Sequence, residues 1–270
     1  MDTLKNKTVL ITGASAGIGK ALALEFGQKK ANLVLFARRK DRLDALSKEI
    51  QPSGEKVLCV EGDVRSEELL GKAVTEGTNR FGGIDVVIAN AGFGVVGNLT
   101  DLTVEDYRRQ FEVNVFGLLN TIYASVEELK KSKGVLVLIG SVAGVIGLPG
   151  SSPYGMSKAA VNILGFALYE ELKAHGVSVL LVAPGFVDSE IRQVDNMGKL
   201  HQEQKDPVPR WMRVTAETAA QEIVEAIVKR KRELIITWPG KLAVWIYRHF
   251  PWILKAAIGR KKLKARKEPK

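Results

Sequence analysis

Hydrophobic residues along this chain fall into short β-branched runs, separated by longer stretches in which apolar positions recur at helical spacing. The runs predict strands at 8–12, 32–37, 56–61, 84–89, 134–140, 177–183 and 233–238. Most are continuous rather than alternating, as parallel strands are when helices cover both faces of their sheet. The intervening pattern predicts helices near 17–30, 40–50, 66–80, 103–131, 154–174 and 215–231. Repeated β–α alternation implies right-handed crossovers. The expected architecture is therefore α/β: a single-domain, doubly wound seven-stranded parallel sheet with helices on both faces.

Length and composition narrow this only slightly. The 270 residues suit one large domain and would strain to make two. No internal repeat or low-complexity linker interrupts the pattern. We expect a catalytic domain over 1–240, with an irregular loop near 189–215, and an extension over 241–270. The single cysteine, Cys59, excludes an internal disulfide and sits in an apolar run where a buried core residue is the expected reading. His175, His201 and His249 are too scattered to suggest a metal site, so no metal is expected and redox chemistry would need a borrowed cofactor.

Charge is distributed unevenly. Of the formal +10, residues from Lys241 onward contribute +9, with ten Lys or Arg against Glu268 alone, and the first 240 residues are close to neutral. The N-terminus has no apolar segment of signal-peptide type. No uncharged apolar run approaches the ~20 residues of a spanning helix. The expected location is cytoplasmic, with possible peripheral contact at the cytoplasmic face of a membrane.

Chemistry enters at the first turn. Gly13, Ser15, Gly17, Ile18 and Gly19 belong to a glycine-rich segment after the first strand and at the start of the first helix. Glycines there allow a tight turn and close approach of backbone to a pyrophosphate seated on the helix N-terminus, as in the Rossmann fold. The G-x-x-x-G-x-G spacing is weak evidence alone, since an ordinary strand–helix turn can carry it. The second strand ends in Arg38-Arg39-Lys40, and the first acid, Asp41, follows these three cations. Arginine in this position accommodates a ribose 2′-phosphate, whereas an acid would bind the free 2′-hydroxyl. Cations are disfavoured at a helix N-terminus, so a bound phosphate explains the cluster better than solvation does. The cofactor expected is NADP(H).

Tyr154 and Lys158 lie four residues apart, hence on one helix face. A phenol ionises near pH ~10, and a nearby cation favours the phenolate, as proton exchange with a substrate oxygen requires. Ser141 ends the preceding strand, where a sheet's carboxyl edge presents residues to ligands. A Y-x-x-x-K spacing alone is common, but its conjunction with Ser141 and the glycine turn is not.

With Gly62-Asp63-Val64, Ala89-Asn90-Ala91-Gly92, Val113-Asn114-Val115 and Pro184-Gly185-Phe186-Val187-Asp188-Ser189 in the same order, the chain resembles a classical short-chain dehydrogenase/reductase over roughly residues 5–238. That resemblance implies that Asp63 and Val64 hold the adenine and that Asn90, Ala91 and Gly92 shape the cofactor floor. It implies that Lys158 binds the nicotinamide ribose and lowers the Tyr154 pKa, and that Asn114 holds a water in a proton relay. Pro184, Gly185, Val187 and Ser189 would seat the nicotinamide, with Ser141 and Tyr154 meeting the substrate. Ala89 replaces a more usual asparagine and Ser189 a more usual threonine. Taken singly, Asp63 reads as a helix N-cap, Asn90 as a turn residue and Asn114 as a polar residue satisfied within its helix.

Two segments bear on substrate and partners. The 189–215 stretch carries Ile191, Val194, Met197, Leu200, Pro207, Pro209, Trp211 and Met212, which suit either an apolar ligand or the core. In the extension, Lys241, Arg248, Lys255 and Lys262 recur every seven residues amid Trp245, Phe250, Trp252, Leu254 and Ile258, ahead of the basic cluster Arg260-Lys261-Lys262. Pro251 is expected to divide it into two helices. The pattern fits an anionic membrane interface, packing on the core or a partner, or, least well, nucleic acid, for which no stacking platform is present. The expected activity is carbonyl–alcohol interconversion on a lipophilic substrate of lipid metabolism (steroid, sphingoid, fatty acyl or similar). Alternatives are a 3-oxoacyl thioester reductase docking an acidic carrier, and a catalytically silent NADP-binding scaffold. The resemblance further implies a homodimer or homotetramer built on the two long helices.

Overall fold

The computed structural model describes residues 3–51, 56–198, 201 and 208–253. Its elements are β1 (Thr8–Thr12), α1 (Gly17–Gln28), β2 (Asn32–Ala37), α2 (Lys40–Ile50), β3 (Val57–Glu61), α3 (Glu67–Phe81), β4 (Val86–Ala89), α4 (Val104–Phe111), α5 (Gly117–Ser132), β5 (Val135–Ile139), α6 (Ser152–Lys173), β6 (Ser178–Pro184), β7 (Phe186–Val187), β8 (Arg213–Val214), α7 (Ala216–Val228), β9 (Glu233–Ile236) and α8 (Trp238–His249). Seven strands form one sheet in the order β3-β2-β1-β4-β5-β6-β9, with every neighbouring pair parallel. The order reverses at β1 and β4, so a crevice opens beyond their carboxyl ends.

The unbroken apolar runs are explained by two cores. Val9 and Ile11 of β1 pack with Leu22, Phe26, Leu43 and Ile223 under α1, α2 and α7. Leu10 between them faces Leu70, Leu118 and Val161 under α3, α5 and α6. The central strands thus bury both faces, where a polar residue without a hydrogen-bond partner would be costly. Cys59 is half-buried and donates to the Leu43 carbonyl at 3.4 Å, a packing role, with burial pushing its thiol pKa up.

The boundaries depart most from expectation in the long helix and at the last strand. The helix predicted over 103–131 is α4 and α5 joined by a π-helical turn at Glu112–Phe116. The last sheet strand ends at Ile236, because Thr237 caps a new helix and Pro239 suits its first turn, so α8 starts ahead of the 240/241 boundary. α8 ends before Pro251, as that residue predicts, but the rest of the extension from Leu254, including Lys255, Ile258 and Arg260 to Lys262, lies outside the described residues. So do Leu200 and Pro207. The two-residue parallel pair β7–β8 closes the base of the 188–212 loop.

Candidate active site

The glycine turn is held in place from the neighbouring strand. The Thr12 hydroxyl accepts from the backbone N–H groups of Asn90 (3.1 Å) and Ala91 (3.3 Å), and the Asn90 amide donates to the Thr12 carbonyl at 2.9 Å. Gly13 and Gly17 have φ of 69° and 52°, the left-handed region that side chains resist. A Cβ on Gly13 would lie 2.8 Å from the Ala91 Cα, and one on Gly19 would lie 2.4 Å from the Gly13 carbonyl oxygen. The turn can lie this close to β4 only as glycine. Ala16, at the N-cap of α1, offers no side-chain acceptor, so the first helical N–H groups are left for an anion.

A cavity of about 440 Å³ runs along the crevice. It is lined by every predicted cofactor residue except Gly19, from Gly13 and Ser15 through Asp63 and Asn90 to Pro184 and Ser189, and by Tyr154 and Lys158. Gly19, Asn114 and Ser141 are not among its lining residues. The glycine cradle and the helix terminus fit a dinucleotide, and the volume lies in the range of small-molecule sites.

At its β2 end, Arg38 and Arg39 both face the cavity. Arg39 donates to the Ser15 hydroxyl at 3.0 and 3.2 Å, and to Glu190 at 3.2 Å. Glu190 also accepts from Arg42 at 2.8 and 2.9 Å. Asp63 is not the cap of α3, for Ser66 fills that role by accepting from the Leu69 N–H. Burial pushes the Asp63 carboxyl pKa up, but hydrogen bonds from the Arg65 side chain and backbone, with added charge from Arg65 and Arg38, hold it below the usual value.

The reactive groups meet where β5, the π-turn and α6 converge. Ser141 is buried, and its hydroxyl accepts from the Ala143 N–H at 3.1 Å and donates to the Pro184 carbonyl at 3.4 Å. Asn114 is buried in the π-turn, accepting from the Phe93 N–H and donating to the Phe93 carbonyl and the Ser157 hydroxyl, each at 3.1 Å. π-turns concentrate at functional sites because they shift a side chain off the regular helical face. Lys158 is buried, donates to the Ile139 carbonyl at 2.7 Å, and lies 5.9 Å from the Tyr154 ring centroid. The resemblance implies a Tyr154 pKa lowered by Lys158; among the chain's own groups the balance lies the other way. Burial pushes the phenol up, opposed by the Ser141 hydroxyl and the charge of Arg192. The protein groups alone therefore favour the protonated phenol.

Some site residues escaped the sequence reading. Asn162, buried on α6, accepts from the Ser141 N–H at 3.4 Å and donates to the Ser141 carbonyl at 3.1 Å, clamping the backbone at Ser141. Its spacing of four from Lys158 and eight from Tyr154 was the available signal. Arg192 lines the cavity and donates to the Val187 carbonyl at 2.9 Å. Of the loop's apolar residues, Ile191, Val194 and Met197 line the cavity, while Trp211 is exposed.

Lys158 carries a stability consequence. Burial lowers its pKa from 10.5 to about 8. Below pH 8 the lysine is charged in both folded and unfolded chains, and the folded chain bears the full desolvation cost. Between about 8 and 10.5 only the unfolded chain keeps the proton, so the cost fades as pH rises. Lys158→Met is expected to stabilise the cofactor-free protein at pH 7 by roughly 3 kcal/mol, from 1.36 kcal/mol per pKa unit. The gain should shrink toward pH 10. Denaturant unfolding at both pH values checks this, and a variant less stable at pH 7 would refute it.

With this geometry established, comparisons with known proteins are consistent. A family model described as short chain dehydrogenase matches residues 7–200. An oxidoreductase of Staphylococcus epidermidis is 33% identical over 202 residues, covering 74% of this chain and 86% of that protein. The Arabidopsis thaliana protein named 11-beta-hydroxysteroid dehydrogenase-like 2 is 34% identical over 192 residues, or 70% of this chain and 62% of that one. The structure of an alcohol dehydrogenase from the archaeon Thermococcus sibiricus, complexed with 5-hydroxy-NADP, aligns with a TM-score of 0.76 at 28% identity, covering 86% of this chain and 96% of that one. A short chain dehydrogenase/reductase from Burkholderia phymatum in complex with NAD reaches 0.83 at 24% identity, covering 99% and 100%, and shows the shared fold.

Proposed function

The chain belongs to the short chain dehydrogenase family, and from that premise we propose that it is an NADP(H)-dependent oxidoreductase interconverting a carbonyl and a secondary alcohol on an apolar small molecule. The observation that carries this reading is the convergence of Ser141, Tyr154 and Lys158 beside a cavity that begins at the glycine cradle. When bound, the nicotinamide supplies or takes the hydride. Every other task falls to the chain's own groups.

Tyr154, protonated at neutral pH, passes its proton to the developing alkoxide oxygen or receives one from the alcohol. Ser141, clamped by Asn162, orients that oxygen. Lys158 positions the cofactor ribose, and Asn114 links the site to the Phe93 backbone and Ser157 along a route for proton exchange. Gly13, Gly17 and Gly19 with the α1 terminus hold the pyrophosphate, Asp63 and Val64 the adenine, and Arg38 and Arg39 the 2′-phosphate. The phosphorylated cofactor in the Thermococcus sibiricus structure supports the NADP(H) reading. The apolar loop residues Ile191, Val194 and Met197, and the name of the Arabidopsis relative, support a lipophilic substrate. Exposed Phe116, Tyr123 and Ile163 on the π-turn, α5 and α6 support a homo-oligomer that covers them.

A panel of lipophilic ketones and alcohols, assayed with NADPH and NADP⁺ and again with NADH and NAD⁺, tests the reading. We expect kcat/KM at least about tenfold higher with the phosphorylated cofactors, one such factor being worth 1.4 kcal/mol. Equal rates would overturn the cofactor assignment. Turnover confined to 3-oxoacyl thioesters would overturn the substrate class.

A further inference from the structure

One face of α8 is anchored to the fold and the other has no protein partner among the described residues. Gly240 and Val244 are buried, Lys241 pairs with Glu222 at 3.8 Å, and Arg248 pairs with Glu233 at 3.0 Å. The outer side carries Trp238, Leu242 and Trp245, spaced by four and three residues and 62%, 46% and 52% exposed. The rings of His249 and Phe250 extend it, their centroids 5.1 and 5.7 Å from that of Trp245. Trp252 and Ile253 follow, both exposed. Three of the chain's four tryptophans thus stand in solvent within fifteen residues. Single exposed apolar residues are ordinary, but a contiguous patch of large ones marks a contact surface.

The charge of the chain that continues from the patch points to the occupant. Residues 241–270 carry a net +9. A second copy would double that charge, so self-association is opposed. Tryptophan is the residue that settles at the boundary between headgroups and acyl chains, and lysine and arginine beside it gain from anionic lipid. No helix among the described residues is long and apolar enough to cross a membrane, so the contact is with the surface. We propose that α8 docks this protein on an anionic lipid bilayer, with Trp238, Leu242, Trp245 and Trp252 seated at the headgroup boundary.

The docking helix is keyed to the reaction site. Thr237 is buried with φ 75°, a conformation a β-branched residue adopts only when its surroundings force it. Its hydroxyl accepts from the Gly240 N–H at 3.1 Å. A Cβ on Gly185 would lie 2.3 Å from that hydroxyl, and one on Gly240 would lie 3.3 Å from a Val142 methyl. The first turn of α8 therefore packs directly behind the Pro184–Gly185 turn and the residue after Ser141. A surface-bound α8 holds the reaction site one side-chain layer from the helix that touches lipid.

The test is co-sedimentation of the full chain with vesicles of phosphatidylcholine alone and of phosphatidylcholine with phosphatidylglycerol, at low and high salt. Quenching of tryptophan fluorescence by brominated lipid is read alongside. We expect binding to the anionic vesicles, weakening with salt, with tryptophan quenched. The double variant Trp245→Ser/Trp252→Ser should bind these vesicles about tenfold or more weakly, since it loses apolar area buried at the interface. Its turnover of a water-soluble carbonyl should equal the parent's. Absence of parental binding, unchanged binding by the variant, or binding without quenching overturns the proposal. So does a fall in oligomer size confined to the variant, which would make the face a protein contact. Vesicle binding is read without turnover, so its failure is distinguishable from failure of the catalytic reading.

Discussion

Tyr154→Phe is expected to reduce carbonyl turnover by about three orders of magnitude, within the range for loss of a positioned general acid. The substitution removes one oxygen and leaves the ring, its packing beside Lys158 and the glycine cradle in place. NADPH affinity should therefore stay within about twofold of the parent, because cofactor groups and proton donor are separate parts of the site. The pH profile gives a second readout. Burial raises the Tyr154 pKa, so the phenol is protonated at pH 7 and carbonyl reduction should be flat through neutrality. Alcohol oxidation needs the ionised phenol and should climb as pH rises. Above pH 8 the loss of charge on Lys158 removes a cation near Tyr154 and disfavours ionisation further, which blunts the climb. The climb of the oxidation rate should vanish from the residual activity of the variant. Turnover above a tenth of the parent's, or a retained pH profile, would remove Tyr154 from the proton-transfer role.

What the chain discloses before it folds follows from how locally each feature is encoded. β1 and β2 have the boundaries expected of them because a strand covered on both faces is apolar through its middle, a run that no single helix face imitates. The glycine turn is legible because each glycine answers a local steric demand. The run from Glu233 to Trp238 misleads, since its β-branched and aromatic residues favour a strand while Pro239 starts a helix. The π-turn that carries Asn114 leaves no periodic trace, because a single inserted residue shifts the phase without breaking the apolar pattern. Asn162 and Glu190 look ordinary in sequence. Their roles come from contacts 21 and 148 residues away, with Ser141 and Arg42, that only the closed sheet creates. The upward shift of Tyr154 belongs to the same class, because spacing places Lys158 beside it but burial decides which effect wins.

Replacing Arg38 and Arg39 together by alanine is expected to weaken NADPH binding about a hundredfold, taking each lost hydrogen bond to a charged group near 1.5 kcal/mol. That is the low end of the range, chosen because the Arg39 side chain is 38% exposed. NADH, which lacks the 2′-phosphate, should bind the variant about as well as the parent. Glu190 sharpens the test. Its carboxylate spans Arg39 and Arg42, so in the free protein it occupies an Arg39 donor that a phosphate would use. These ion pairs are partly exposed and individually weak, whereas a phosphate brings up to two charges and three acceptor oxygens to Arg38 and Arg39 and displaces the carboxylate from Arg39. Glu190→Gln should then tighten NADPH binding and leave NADH unchanged, opposite in direction to the arginine variant. Fluorescence titration of both cofactors against the three proteins checks both. Equal losses for NADPH and NADH in the arginine variant would mean that the pair serves the shared part of the nucleotide. Unchanged NADPH affinity would mean that the cations at the end of β2 do not read the phosphate at all. If the two substitutions move NADPH in opposite directions while NADH stays fixed, the acid that ties the 188–212 loop to α2 is also the group a phosphorylated cofactor must dislodge, and cofactor choice and loop position become one equilibrium.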